Sequence, residues 1–123
     1  MVIDTGVFIE HLRSANKQGT IFYKLPQNTS YSISAVTLFE LYSGAITPAK
    51  EKDVLILIQN LSVLPFDNAV ATMAATIYRK LKSENKLIEF RDIFIAATCL
   101  VHNKPLVTLN IKLFSRIKEL DLF

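Results

Sequence analysis

Three carboxylates in this 123-residue chain stand where an isolated charge is costly. Asp4 directly follows the apolar pair Val2-Ile3, Glu40 lies inside VTLFELYSGA, and Asp92 opens DIFIAATCLV, the most apolar run of the sequence. Desolvating a carboxylate is unfavourable unless something pairs with it. The other acids, among them Glu10, Glu51, Asp53, Glu84 and Glu119, have mixed polar neighbours. Taken singly, each of the three reads equally as a helix cap or a salt-bridge partner. Taken together they fit one place, because in an open parallel sheet the loops at the carboxyl ends of the strands converge. Carboxylates that meet there repel and raise one another's pKa unless a cation holds them. Hard oxygen ligands completed by water describe Mg²⁺ or Mn²⁺. Thr5 adds a hydroxyl beside Asp4, and Gly6 is expected to let the backbone approach the site closely.

The elements that must position these acids alternate along the chain. Val2-Ile3 reads as a short buried strand, FIEHLRSA as a short helix, and GTIFYKL as a second helical piece ending at Pro26-Gln27-Asn28. YSIS reads as a strand, after which Ser34 caps a helix over AVTLFELYSGA with Gly44 near its end. Thr47-Pro48 starts another helix through EKDVLILIQNL, since proline at the first helical position lacks only an N–H that has no partner there. SVLPF is a third strand. Asp67 opens a long helix in which Val70, Met73, Ala74, Ile77, Tyr78 and Leu81 recur at three- and four-residue spacing. DIFIAATCLVHN is a mostly buried helix, PLVT a fourth strand, NIKLFSRI a final turn and LDLF a closing segment. Alternating strands and helices imply right-handed crossovers and a sheet covered on both faces. The expected fold is a three-layer α/β/α sandwich with a small, mostly parallel central sheet, forming a single domain over residues 1–123.

Composition narrows the function only partly. Fourteen Lys and Arg against eleven acids give a formal charge of +3, compatible with an enzyme or a nucleic-acid binder. Arg79, Lys80, Lys82 and Lys86 form one basic cluster and Lys112, Arg116 and Lys118 another; such runs serve as solvated helix faces as well as phosphate contacts. The lone Cys99 excludes an intrachain disulfide and reads as a buried hydrophobe. No apolar run approaches the ~20 residues of a membrane span, and Asp4 and Glu10 interrupt the first one, so the chain reads as cytoplasmic, without membrane attachment. An aspartyl-nucleophile phosphohydrolase would need a second acid two residues after Asp4, where Gly6 stands. A receiver domain would need an early acid pair, which is missing. Metal-free histidine chemistry would need His11 and His102 to face one phosphate.

In VIDTGVFIE, SAVTLFELYSGA and FRDIFIAATCLVHNKPLVTLN, in this order and over nearly the whole chain, the sequence resembles the PIN-domain ribonucleases, and among them the VapC-like toxins of toxin–antitoxin operons. The resemblance puts the family's metal-site acids on Asp4, Glu40 and Asp92, with Thr5 and Thr108 as supporting hydroxyl residues. One departure concerns a fourth acid after the last strand. Asn110 stands at one such position and Leu113 at the other, which puts a second metal ion in doubt. Asn110 keeps an oxygen for a metal-bound water and is counted with the catalytic residues, and Glu89 is a possible substitute acid.

The resemblance implies an Mg²⁺- or Mn²⁺-dependent endoribonuclease toxin that cleaves RNA by metal-activated water. Arg13, Lys17, Arg79, Lys82, Arg91 and Lys112 are the candidate RNA-binding residues. It also implies a cognate antitoxin, expected along Phe8, Leu12, Phe22 and Leu38, that presents an arginine to the acids. The apolar excess of PAKEKDVLILIQNL and of the first two helices leads us to expect a homodimer. The alternative is a non-catalytic RNA-binding or protein-interaction module with a degenerate metal site, favoured by the missing fourth acid.

Overall fold

The computed structural model describes residues 1–123. Its sheet is built from very short strands: β1 (Val2–Ile3), β2 (Ser32–Ser34), β3 (Ser62–Leu64) and β4 (Leu106–Val107). The spatial order is β3-β2-β1-β4, all parallel, with Val2 opposite Ser32 and Leu106, and Ile33 opposite Val63. The closing segment extends the β4 edge, where Leu122 forms a parallel bridge with Leu106.

Side-chain alternation along these strands divides the core in two. Val2 and Leu106 point to a cluster formed with α5 (Asn68–Ser83), α6 (Phe90–Val101) and Phe114 of α7 (Ile111–Phe114). Ile3, Ile33 and Val107 point the other way. There they meet Val7 and Phe8 of α1 (Thr5–Arg13), Leu41 of α3 (Ala35–Gly44), and Val54 and Ile58 of α4 (Pro48–Ile58). The expected three-layer sandwich is present.

Local chemistry sets the helix boundaries. Ser34 accepts from the Thr37 N–H, Thr47 from Lys50 with Pro48 following, and Asp67 from Val70, so all three expected N-caps form. α5 and α6 end through Asn85 and Asn103, whose φ of 56° and 50° lie in the left-handed region that asparagine tolerates. The expected helix over GTIFYKL is smaller: a 3₁₀ turn at Lys17–Gly19, then the single-turn α2 (Ile21–Lys24) capped by Thr20. Thr20 and Gly19 divide what hydropathy alone joins.

Two expectations about surfaces change. Phe8 is fully buried and packs on Phe22 with ring centroids 5.5 Å apart, so it belongs to the core and lines no groove. α4 does expose Leu55 and Ile56, but a groove with four aromatic side chains lies elsewhere, on α5, α6 and the segment before α5. No helix is long and apolar enough to cross a membrane.

Because Asp67 bonds the Val70 N–H at 3.1 Å and opens the helix that packs most extensively on α6, Asp67→Ala should cost about 1 kcal/mol of stability. Urea denaturation of the two proteins checks this, with Asp67→Asn expected to lose far less.

Candidate active site

The strand order fixes where a site can form. The chain leaves β1 toward β2 and β3, then returns across the sheet to place β4 on the other side of β1. The carboxyl ends of β1 and β4 therefore flank a topological switch point, where a crevice opens. Asp4 follows β1 and Thr108 follows β4. The Thr108 hydroxyl donates to Asp4 Oδ2 at 2.8 Å, and the Thr5 N–H donates to Oδ1 at 2.9 Å. Asp4 is thus both the N-cap of α1 and a strut between the two strands. Burial pushes its pKa up and Glu40 adds to the rise, while the Thr108 and Thr5 hydrogen bonds hold it down.

Glu40 arrives on the second turn of α3. Its Oε1 accepts from the Thr5 hydroxyl at 2.9 Å, and its Oε2 faces Arg91 Nη1 at 3.3 Å. Asp92 lies in the first turn of α6 with its side chain 17 % exposed. Its nearest opposite charge is Arg91 Nε at 3.9 Å. Burial pushes Asp92 up from 3.8 to about 6; Arg91 opposes the rise, and Asp4, Glu89 and Glu40 add to it. A cleft of about 220 Å³ joins Asp4, Thr5, Glu40, Arg91, Asp92 and Asn110.

Asn110 lines the cleft, but its carboxamide oxygen also accepts from the Leu113 N–H at 3.3 Å and caps α7. Its own N–H bonds Thr108 Oγ1 at 3.0 Å, so Thr108 is held from behind while it holds Asp4. Glu89 does not join the acids; it stays largely exposed and pairs with Arg91 at 3.0 Å. Gly6 lines the cleft as well, yet a Cβ there would meet nothing within 4 Å, so close backbone approach is not the reason for a glycine.

Of the six basic candidates, Arg91 alone lines this cleft. Arg13 lines an adjoining groove with Glu40, Lys50 and Asp53. The Lys17 ammonium is spent on the carbonyls of His11 and Leu12 at the end of α1. Arg79 and Lys82 lie on α5, with Lys82 Nζ 5.7 Å from the Tyr78 ring centre, and Lys112 is on α7. The six candidates thus come from five elements of the chain, α1, the 3₁₀ turn, α5, α6 and α7. Thr37, which the sequence did not mark, is fully buried against Thr5; its spacing of three from Glu40 was the available signal.

The donor set offers only oxygens, in three carboxylates and neighbouring hydroxyls, which suits a hard divalent cation. As they stand, the acids do not close on one point as metal ligands, and Arg91 supplies a counter-charge to Glu40.

The PIN domain family model matches residues 1–120. The chain belongs to the PIN-domain family. Ribonuclease VapC1 of Methanocaldococcus jannaschii is 31% identical over 123 residues, covering 99% of this chain and 84% of that relative. Among solved structures, DNA-bound VapBC from Salmonella typhimurium superposes with a TM-score of 0.85 at 26% identity, covering 99% of this chain and 95% of the other. VapBC2 from Rickettsia felis, bound to a DNA fragment from the promoter, gives 0.87 at 23%, covering 99% and 96%. This PIN domain thus has the VapC fold along its whole described length, and PIN-domain VapC nucleases are metal-dependent as a class.

Folded Asp92 keeps its proton to about pH 6, whereas an unfolded aspartate loses it near 3.8, so the folded state binds more protons between these values. Stability from this group falls as pH rises from about 4 to about 6. In EDTA, Asp92→Asn should flatten that slope and raise stability at pH 7 by about 1 kcal/mol, reduced from the full shift because Arg91 and solvent screen the charge. Urea titrations at pH 5 and pH 7 measure it; a variant destabilised at both would make Asp92 a structural residue.

Proposed function

We propose that this PIN domain is a metal-dependent endoribonuclease acting as the toxin of a toxin–antitoxin pair. The observation that carries the proposal is the arrival of Asp4, Glu40 and Asp92, from three separate parts of the chain, at one cleft on the β1/β4 switch point. Kinship with ribonuclease VapC1 and with the VapBC assemblies supports RNA as substrate and an antitoxin as partner.

Asp4, Glu40 and Asp92 would hold Mg²⁺ or Mn²⁺. Such an ion supplies positive charge and acidifies water for phosphodiester hydrolysis. The chain's own residues do the rest. Thr5 and Thr108 hold both oxygens of Asp4, so its carboxylate plane is fixed before any ligand arrives. Glu40 would offer the ion Oε2, the oxygen that faces Arg91. The Arg91 guanidinium stands at the cleft wall, where its planar fork would suit two phosphate oxygens. Arg13, in the adjoining groove, extends phosphate contact along the strand. Contacts of this kind give salt-dependent affinity without sequence information, so RNA choice rests on shape and unpaired loops. An antitoxin arginine would compete for the same acids.

The domain pairs as a two-fold dimer through α5 and α6. Phe66, Tyr78, Phe90 and Phe94 form an aromatic ladder on this face, and no charged side chain lines its groove. Phe90 is 62 % exposed, a costly position for an aromatic without a partner. A second copy presents the same surface and covers it.

Asp4→Asn and Glu40→Gln should each reduce Mg²⁺-dependent RNA cleavage by at least about a hundredfold while RNA binding persists, and EDTA should abolish cleavage by the wild type. Gel assays of cleavage and binding at equal concentrations test both. Equal cleavage by wild type and Asp4→Asn would refute catalysis at this site, and binding without cleavage by the wild type would leave a non-catalytic RNA-binding or interaction module.

Phe90→Glu should shift sedimentation at micromolar concentration from dimer to monomer without lowering the melting temperature of the monomer. A wild-type monomer would refute the pairing.

A further inference from the structure

Behind Glu40 runs a line of buried hydroxyls that none of the charge considerations requires. Ser34, Thr37 and Thr5 are 1 %, 0 % and 6 % exposed. Ser34 Oγ lies 3.2 Å from Thr37 Oγ1, Thr37 Oγ1 lies 3.0 Å from Thr5 Oγ1, and Thr5 Oγ1 lies 2.9 Å from Glu40 Oε1. The Thr37 N–H meanwhile donates to Ser34 Oγ at 3.0 Å. The line crosses from the end of β2, through the first turn of α3, to the first residue of α1 and back to α3.

Each hydroxyl has one proton to give, and a carboxylate can only accept. The Thr5 proton therefore goes to Glu40. Thr5 Oγ1, left as an acceptor, takes the proton of Thr37. Ser34 has one acceptor in reach, Thr37 Oγ1, so its proton goes there. Both ends of the line demand the same direction, Ser34 to Thr37 to Thr5 to Glu40. Reversing the Thr37 link would leave a buried Ser34 O–H without an acceptor, which costs about 1–3 kcal/mol.

Thr5 is the junction. Its N–H holds Asp4 Oδ1 and its O–H holds Glu40 Oε1, so one residue sets the separation of two acids that belong to different helices. The Thr37 hydroxyl, donating from behind, takes Thr5's acceptor side and so favours the rotamer in which the Thr5 proton points to Glu40. We propose that Thr37 is a positioning residue of the acid site, acting through Thr5 to fix Glu40 with Oε1 held inward and Oε2 open to the cleft. This rests on Glu40 being a metal ligand, as proposed above. Outer hydrogen bonds to metal-binding carboxylates set their orientation, and losing one typically lowers metal affinity by about 10- to 100-fold.

Mn²⁺ affinity of the full chain, read from the electron paramagnetic resonance signal of the free ion, tests the proposal without reference to cleavage. Thr37→Val keeps the shape and removes the hydroxyl; it should weaken Mn²⁺ binding about tenfold or more. Thr37→Ser keeps the hydroxyl and removes the methyl, and should restore affinity even if its melting temperature stays low. In a Glu40→Gln background, Thr37→Val should cause little further loss, because the two residues act on one ligand. Wild-type affinity in Thr37→Val, failure of Thr37→Ser to restore it, or full additivity with Glu40→Gln would each overturn the proposal. Glu40→Gln alone reports on the underlying assignment: if it leaves Mn²⁺ affinity unchanged, Glu40 is no ligand and the inference falls with it. Should Thr37→Val not fold, Thr37→Cys, with a weak donor in place of the hydroxyl, takes its place and must show the same loss.

Discussion

Burying one carboxylate at the seam of β1 and β4 is the constraint around which the fold is arranged. Asp4 is 8 % exposed, and the two hydrogen bonds it accepts come from the next residue and from a residue 104 positions away. Only the crossover that brings β4 beside β1 makes the second bond available. Thr108 in turn is held by the Asn110 N–H, and Asn110 caps α7, whose Phe114 is buried in the core beneath α5 and α6. The last part of the chain thus supports the first acid through successive contacts, and sheet order, terminal helix and site geometry depend on one another.

Charge balance is the second consequence. With Glu40 and Asp92 lining the same cleft, like charges crowd a partly dry space, and burial together with repulsion pushes Asp92 to about 6. Arg91 relieves this from the next position in the chain, meeting Glu40, Glu89 and Asp92 at once. Its side chain is 54 % exposed, so the pairing is weakly held and readily exchanged. A divalent ion would deliver twice the charge of Arg91, so the arrangement would suit exchange of one counter-charge for another. Fixed acids and a movable arginine divide the work between burial and exposure.

What the sequence disclosed follows from the range of each interaction. The acids were legible because a charge beside apolar residues is conspicuous in one dimension, and the caps Ser34, Thr47 and Asp67 because capping acts over three residues. Strand alternation and helical periodicity then implied the layers. The links made by hydroxyls across the fold were not legible: Thr5 to Thr37 spans 32 positions, and a threonine in a helix gives no sign of its partner. Nor does the sequence tell which basic residues face the acids, because Lys17 and Arg91 look alike in it. Only the structure shows one turned back on the carbonyls of α1 and the other facing the acids. The aromatic face escaped notice since Phe66, Tyr78, Phe90 and Phe94 come from separate segments that α5 and α6 bring together.

Asn110 shows how these constraints resolve at the end of β4. A carboxylate at 110 would add a further negative charge to a cleft that already holds Asp4, Glu40 and Asp92, against the single positive charge of Arg91. Asparagine removes that charge yet keeps an oxygen, and the oxygen is used, since it caps α7. The structural duty of the position therefore needs a polar acceptor but no charge. Its neutrality adds nothing to the repulsion among the three acids. The capping bond holds the β4–α7 turn, and with it Thr108 and Asp4, in place.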